Sequence, residues 1–409
     1  MSTLRHERID LPVLPSDPDT RTWRNAMFAL FATSGFTLAA WVSRTPAVRD
    51  DLGASTAQMG WLIFAMAIGA VVGLVAAGPV IARVGANPVI RTGQITAAAG
   101  LIVIAAGTTL GAMAAAFAGL VIFGLGFGSA EVAMNVAGAA NERALKHTVM
   151  PTFHAMYSIG TLTGASLGVL ATHLGLPVGL HLVLAALIVP IVTVPVVRLL
   201  PHEIGRVGDG RPRLTAAERL AVWADPRTLL IGLMVLGMGF AEGAAEDWLP
   251  LATVDGYGVS ETVGAALFGI FIVAMTVGRL TGAALIDRFG RVATLRASAL
   301  VAAIGLLITI FGPNVTTAAI GIALWGLGTS LGLPVGMSAA ADDPRTAAAR
   351  VSTAATVGYA AFLVGPPALA FLGEHVGLLH AFIAVLVMVI VAGLIAPAAR
   401  PLTTSSRRK

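Results

Sequence analysis

The side chains best placed to do chemistry in this chain are ionisable groups inside long apolar stretches. Glu131 is followed one helical turn later by Asn135, and a spacing of four residues puts both on one helix face. A charge at the centre of a bilayer costs roughly 2.5–3.5 kcal/mol on insertion scales, so such groups usually face a cavity or a partner. Glu131 is therefore our first candidate for carrying a proton, with Asn135 as a substrate contact. The alternative is a permanently protonated Glu131 that bonds a carbonyl group of a neighbouring helix.

Glu242 is a second acid inside an apolar stretch, and Glu246 and Asp247 follow it one turn later. We interpret Glu242 as a second proton-coupling group and Glu246 as a substrate contact. For Glu246 and Asp247 the alternative is an exposed vestibule or a helix end.

Three basic side chains also lie in or near apolar stretches. Arg44 can hold a carboxylate or hydroxyl group of a substrate, or it can extend to the outer membrane interface. Arg279 is expected to have a structural partner near a gate on the cytoplasmic side. His154 can titrate near physiological pH, and the alternative is a hydrogen bond to the preceding helix within residues 131–141.

Aromatic side chains offer flat surfaces for a sugar ring or another planar ligand. We expect Trp41, Trp325 and Tyr359 to contact a substrate. Trp325 is the strongest of the three, because its stretch contains no other large polar group. Trp and Tyr are also typical of membrane interfaces, which is the alternative for each of them.

The composition describes the environment in which these groups lie. The chain has 409 residues, of which 56% are hydrophobic and 11% charged, whereas a soluble protein has about 25% charged residues. The absence of cysteine excludes disulfides and thiolate chemistry. No Walker A motif, metal-ligand spacing, Ser-His-Asp pattern or nucleic-acid-binding motif is present, so we expect no enzyme activity, cofactor, metal or nucleic acid.

Apolar stretches separated by short polar breaks predict an all-α membrane protein with twelve transmembrane helices in two six-helix halves. The predicted domains are an N-terminal tail (1–24), an N-terminal half (25–200), a linker with a short amphipathic helix (201–226), a C-terminal half (227–398) and a C-terminal tail (399–409). The helices are predicted at 25–44, 57–81, 89–108, 112–138, 151–173, 178–199, 228–250, 260–286, 293–311, 316–339, 350–372 and 377–397.

Charge placement predicts the orientation of these helices. If the chain crosses the membrane twelve times, the two tails, the linker and every second loop lie on the same side. Of the 26 Lys and Arg residues, all but Arg44, Arg49 and Arg279 fall in or beside these segments. Because cytoplasmic loops are enriched in Lys and Arg, both termini are expected to be cytoplasmic. The polar N-terminus lacks the apolar core of a signal peptide. A multi-pass protein of the inner membrane is therefore expected.

The two halves resemble each other at an offset of roughly 200 residues. Gly124-Leu125-Gly126 matches Gly326-Leu327-Gly328, whereas Glu131 is opposite Leu333. Many secondary transporters are built from such internal repeats and bind substrate between them near the bilayer midplane. A Glu that only one half carries points to a functional role.

One loop sequence resembles that of a known family. The segment Ala283-Ala-Leu-Ile-Asp287-Arg288-Phe-Gly290-Arg291 is similar to the motif after the second helix of each half in the major facilitator superfamily. The first-half copy keeps Gly78, Arg83 and Gly85 but has Ala82 where the family has Asp. In the family this loop helps to hold the outward-facing state, so the resemblance implies gating or structural roles for Gly78, Arg83, Asp287, Arg288 and Gly290.

Four short patches further resemble the fucose:proton symporter branch of that family and its bacterial relatives. They are Glu131 to Asn135, His154 with Gly160 and Gly164, Glu242 to Trp248, and Trp41 to Pro46. In the family the first, fourth, seventh and tenth helices line the cavity, so the resemblance implies that Glu131 and Glu242 share it. The sugar symporter has an acid in its first helix, and this chain has none there.

The sequence as a whole therefore predicts a monomeric secondary transporter that moves a small polar, sugar-like solute across the bilayer together with protons. An antiporter that exports a drug or metabolite is the alternative, since the same acids would serve it. A transporter-like receptor or a structural membrane protein is the third interpretation, which the repeat and the intramembrane acids disfavour.

Overall fold

A computed structural model describes residues 19–54, 56–202, 204–206, 215–259 and 261–402. The predicted tails up to residue 18 and from residue 403, and residues 203 and 207–214 of the predicted linker, lie outside the described residues. Within the described ranges the chain is helical and contains no strand.

Seven helices precede the linker and seven follow the helix that lies within it. The first seven are α1 (Thr20–Val42), α2 (Thr45–Leu52), α3 (Thr56–Val84), α4 (Ala86–Thr109), α5 (Met113–Leu145), α6 (Met150–His173) and α7 (Val178–Val197). The linker helix is α8 (Ala216–Trp223). The remainder are α9 (Pro226–Tyr257), α10 (Glu261–Phe289), α11 (Arg291–Phe311), α12 (Val315–Thr329), α13 (Gly332–Ala340), α14 (Ala347–Val376) and α15 (Leu378–Ile395), followed by a 3-10 turn at Ala396–Ala399.

These helices form the predicted twelve spans. Eleven stretches of the described chain are long and apolar enough to cross a membrane, and α12 with α13 counts as one of them. The twelfth span is α6, which has 24 residues and is made less apolar by His154, Tyr157 and Ser158. Large apolar side chains such as Leu162 and Ile191 are 62% and 71% exposed on the outside of the bundle. That surface suits contact with lipid tails.

Four predicted helices differ clearly from the structure. The first is predicted from residue 25 and the fourth to residue 138, but α1 begins at Thr20 and α5 continues to Leu145. The seventh predicted helix ends at residue 250, but α9 continues through Pro250 to Tyr257, because membrane helices tolerate proline where neighbouring groups satisfy the freed carbonyl. The tenth is broken between α12 and α13. Pro334 has no N–H for the carbonyl group of Ser330, so the helical ladder is interrupted there.

The linker helix was predicted, and its start is fixed by a capping box. The Thr215 hydroxyl accepts from Glu218 N, and the Glu218 carboxylate accepts from Thr215 N at 2.7 Å. We call the end of the bundle where α1 and α9 begin and α7 ends the linker face, and the opposite end the distal face.

Glycines at matching positions of the two halves let the helices approach closely. A Cβ atom on Gly124 would lie 2.0 Å from the carbonyl oxygen of Met66 on α3, and one on Gly326 would lie 2.4 Å from that of Phe271 on α10. No side chain fits there, so the predicted repeat has the same packing role in each half. Between the halves, α3 packs against α14 and α6 against α10.

Candidate functional site

The first contact of the candidate site joins the two halves through Glu131. Glu131 lies on α5, roughly 20 Å from the linker-face end of that helix at 1.5 Å per residue, and is 9% exposed. The hydroxyl group of Tyr359, on α14 of the other half, donates a hydrogen bond to the Glu131 carboxylate. The strongest proton-carrying candidate therefore bonds directly across the interface between the halves.

The second contact is an ion pair within the C-terminal half, whose arginine also bonds across this interface. Arg279 Nη2 on α10 donates to both carboxylate oxygens of Glu242 on α9, at 2.8 and 3.0 Å. Arg279 Nη1 donates to Ser158 Oγ on α6, at 2.6 Å. Arg279 is only 3% exposed, so both of its bonds form away from bulk water. Its partners were expected near the cytoplasmic gate, and they lie instead near the middle of the bundle.

A third set of contacts lies within the N-terminal half and supports Glu131. Asn135 Nδ2 donates to the Glu131 carbonyl at 2.9 Å, and Asn135 Oδ1 lies 3.3 Å from His154 Nε2 on α6. The ring of Phe31 packs edge-on against His154. Asn135 is fully buried, so in this arrangement it binds protein groups and not open cavity.

The charges of this central cluster are mostly negative. Glu242 lies within electrostatic range of both Glu131 and Glu246. Asp247 follows Glu246 in the chain and also acts on it. Among the described residues that act electrostatically on these acids, Arg279 carries the positive charge. Its charge is already neutralised by the ion pair with Glu242. The remaining acidity suits protons and ligands with several hydrogen-bond donors.

A small recess lies beside this cluster, within the C-terminal half. Phe240, Asp247 and Trp248 on α9 line it, opposite Gly365 and Pro366 on α14. Trp248 Nε1 is buried without a hydrogen-bond partner among the described residues. An indole beside a carboxylate can receive a planar or hydroxylated solute.

The halves meet a second time at the linker face, through charges that we call the linker-face network. Ser338 donates a hydrogen bond to Glu142, and Arg291 lies 3.5 Å from the same carboxylate. Arg291 also pairs with Asp342 at 2.7 Å. Arg143 Nη1 donates to the Ala341 carbonyl at 2.6 Å. This end of the bundle is closed.

Sequence analysis missed several residues of these contacts. Ser158 follows His154 by four residues, so that helical spacing could have drawn attention to it. Glu142 and Asp342 end apolar stretches as ordinary helix-end acids. Only the packing of α5 against α13 brings them to Arg291.

Two predicted substrate contacts lie in the cores of the halves. Trp325 is fully buried between Phe271 and Phe382, and Trp41 is 2% exposed in the core of the N-terminal half. Their position corrects the expectation that they face the cavity. Gly326 on α12, the tenth predicted span, packs against the backbone of α10. The neighbouring indole of Trp325 then points into the core of its own half.

The residues of the two copies of the loop motif, one in each half, have different surroundings. Asp287 Oδ1 accepts from Thr148 N of the other half at 3.0 Å, whereas Arg83 and Arg288 are exposed. Gly290 has φ +79°, a conformation that favours glycine. A Cβ atom on Gly78 would lie 3.1 Å from the Ala348 carbonyl of α14, so Gly78 lies at the interface of the halves.

Comparisons with known proteins bear on this arrangement. The model of the Major Facilitator Superfamily matches residues 26–280 and 248–409. An uncharacterized transporter, y4wD, of Sinorhizobium fredii is 30% identical over 387 residues, which cover 90% of this chain and 98% of the relative. An uncharacterized MFS-type transporter of Yersinia pestis is 29% identical and covers 96% of this chain and 98% of its own length.

Solved structures share the same fold. FucP, crystallised in an outward conformation, superposes with a TM-score of 0.81 at 18% identity over 93% of this chain and 100% of that one. The human organic anion transporter MFSD10 superposes with a TM-score of 0.75 at 17% identity, covering 93% of this chain and 100% of its own.

Proposed function

This chain is a transporter of the major facilitator superfamily, and from that premise we propose that it moves a small polar, sugar-like solute together with protons by alternating access. The observation that carries the proposal is the hydrogen bond from Tyr359 to Glu131. It places a titratable group where its protonation state acts on the contact between the two halves. FucP of E. coli is a fucose:proton symporter, and the likeness in fold supports the same class of reaction here.

Protonation of Glu131 changes the strength of this bridge. A carboxylate that accepts a hydrogen bond from Tyr359 makes a charge-assisted bond, which is roughly twice as strong as a neutral one. When Glu131 takes up a proton, the bond becomes neutral and the contact between α5 and α14 loosens. The proton therefore lowers the cost of moving one half against the other.

Solute binding acts on the second bridge. Ser158 is held by Arg279, and a solute hydroxyl group can replace either partner in that bond. Arg279 then remains paired with Glu242, so its charge stays neutralised while the halves separate. In this scheme Glu131 is the main proton carrier. Glu242 exchanges a proton only when its ion pair opens.

The orientation of the protein in the membrane is inferred from the placement of Lys and Arg, and its conformational state is inferred from the closed linker face. The Lys- and Arg-rich linker face is assigned to the cytoplasm of the inner membrane, with both termini there. The linker-face network then closes the cytoplasmic end, which corresponds to an outward-facing state. The protein is proposed to act as a monomer, without cofactor, metal or nucleic acid.

The test is internal pH in sealed proteoliposomes challenged with sugars, polyols, nucleosides and cationic drugs. Acidification of the lumen on adding an external solute is expected. One proton entering down 100 mV supplies about 2.3 kcal/mol, enough to accumulate an uncharged solute about 50-fold. Glu131→Gln is expected to abolish both proton movement and accumulation while exchange of labelled solute continues.

Two controls make the test decisive. Glu374→Gln changes an exposed acid at the distal end of α14 and is expected to leave transport unchanged. Full concentrative uptake in both Glu131→Gln and Glu242→Gln would show that the coupling assignment is wrong. Alkalinisation of the lumen would replace symport with proton exchange and favour an exporter of a drug or metabolite.

A further inference from the structure

A second buried arginine lies outside the transport site, at the distal end of the N-terminal half. Arg44 stands between α1 and α2 and is 3% exposed. Its Nη2 donates to the Leu176 carbonyl, in the turn between α6 and α7, at 2.8 Å. Its Nε and Nη1 atoms are buried and have no hydrogen-bond partner among the described residues.

Two more buried polar atoms without partners lie in the same region. They are Ser43 Oγ, next to Arg44 in the chain, and His181 Nδ1 on α7. Both residues adjoin Gly168 on α6: a Cβ atom there would lie 2.0 Å from Ser43 Oγ and 3.9 Å from His181 Cε1. His181 also lies within electrostatic range of Arg44. Ser43 and His181 therefore lie at one location beside α6, and Arg44 adjoins it at the start of α2.

The charge of Arg44 needs compensation at this location. A guanidinium group keeps its proton in proteins, so burial cannot neutralise it. Burying a charge is costly unless it is paired and hydrogen-bonded. None of the ion pairs among the described residues includes Arg44. The acid Asp50 on α2 pairs instead with Arg49, where its side chain is 65% exposed.

We propose that Arg44, Ser43 and His181 bind a small monovalent anion of the chloride type. The Nε and Nη1 atoms of Arg44 carry three free N–H groups, and the Ser43 hydroxyl and His181, in the tautomer with a proton on Nδ1, add further donors. The N-terminus of α2 adds positive potential. Arg44 and His181 are 3% and 7% exposed, so the phosphate of a lipid head group would have to displace protein groups to reach them. The anion joins the α1–α2 junction to α6 and α7 within one half, so it stays in place while the halves move.

Thermal unfolding of the purified full-length protein in lipid-free detergent tests this proposal. Sodium gluconate is replaced by sodium chloride or bromide at constant ionic strength. The unfolding temperature is expected to rise, in a saturable way, by roughly 2–5 °C at concentrations far above the dissociation constant. Sulfate, phosphate and added phosphatidylglycerol are expected not to reproduce the rise.

Variants locate the effect. Arg44→Gln is expected to abolish the chloride response, and Ser43→Ala to weaken the apparent affinity about tenfold by removing one donor to a charge. Ser43→Ala keeps the test informative if Arg44→Gln does not fold. Arg49→Gln, which changes an exposed arginine on the same short helix, is expected to respond like the unaltered protein.

Three results would overturn the proposal. They are a chloride response that persists in folded Arg44→Gln, no response to chloride in the unaltered protein, and stabilisation by phosphatidylglycerol or phosphate in place of chloride. Because this site lies within one half, loss of proton coupling in Glu131→Gln leaves it unaffected. Its failure would equally leave the proposed transport function standing.

Discussion

The two halves of this transporter meet through polar groups in two places that differ in chemistry. At the centre, two bonds cross between the halves, Tyr359 to Glu131 and Arg279 to Ser158. Nearer the linker face, the Ser352 hydroxyl on α14 also donates to the Leu74 carbonyl on α3. At the linker face, the crossing contacts are more numerous and involve charged groups, and Glu142 accepts from Ser338 and lies 3.5 Å from Arg291. Toward the distal face, none of the hydrogen bonds and ion pairs among the described residues joins the halves.

This difference separates two tasks of alternating access. The centre contains few crossing bonds, each of which a proton or a solute hydroxyl can replace. A proton or a solute hydroxyl group does not replace the contacts of the linker-face network in this scheme. These contacts must therefore break together when the closed end opens. We therefore propose that ligands act at the centre, while the linker-face network sets how stable the closed end is.

The largest effect is expected at the centre, from Arg279→Gln. This change leaves Glu242 buried without its cation, and breaking a buried pair in this way costs about 3–5 kcal/mol. A large fall in the unfolding temperature and loss of transport are expected. The double variant Arg279→Gln with Glu242→Gln removes the unpaired charge and should regain much of the stability. Equal instability of the single and double variants would show that packing, and not charge pairing, dominates there.

The next largest effect is expected at the linker face, from Arg291→Gln. This variant loses contacts to Asp342, Ser338 and Glu142 at 2.7, 2.8 and 3.5 Å. Of these contacts, the one to Glu142 joins the halves, and the one to Ser338 holds a hydroxyl that itself bonds Glu142. Because they are only partly buried, a shift of about tenfold toward an open linker face is expected. The chain has no cysteine, so spin labels can be attached to cysteines introduced at His147 and Arg345.

A matched control accompanies the distance measurement on these labels. Arg288→Gln changes a neighbouring exposed arginine that stacks on Phe289, and it should leave the label distance unchanged. If Arg291→Gln also leaves the distance unchanged, the network does not set the closed state.

The sequence predicted the fold more completely than the site. Apolar stretches, charge placement and the repeated glycines predicted the twelve helices, because each signal is local in the chain. Glu131, Glu242 and Arg279 were singled out because a buried charge is costly wherever the helix packs. Their partners Ser158 and Tyr359 depend on how α6 meets α10 and α5 meets α14, which no local pattern encodes.

A smaller effect is expected from the first-half copy of the loop, through Asn87. Its amide donates to the carbonyls of Leu200 and Pro201 at 3.2 and 2.8 Å, so Asn87 binds the start of the linker. Asn87→Ala leaves those carbonyls unsatisfied and should cost about 1–3 kcal/mol of stability. The distance between labels at positions 147 and 345 should not change. An increase in that distance would mean that the first-half copy also helps to close the linker face.

The smallest effect is expected from Asp225, which caps α9 within the C-terminal half. Burial would raise the pKa of this carboxyl group, but hydrogen bonds from Thr228 and the guanidinium groups of Arg350 and Arg227 outweigh it and hold the pKa below its usual value. Its stabilising contribution is therefore present above the unfolded-state pKa of about 3.9 and is lost as the pH falls through the lower folded-state value.

Asp225→Ala should cost about 0.5–1 kcal/mol at neutral pH, since its side chain is 28% exposed and its pair with Arg350 at 3.1 Å is partly screened by water. The difference in unfolding temperature between Asp225→Ala and the unaltered protein should shrink as the pH falls below about 4. A difference that stays constant at low pH would assign the cost to packing at the start of α9. A change in the distance between labels at positions 147 and 345 would instead mean that contacts within one half also contribute to closing the linker face.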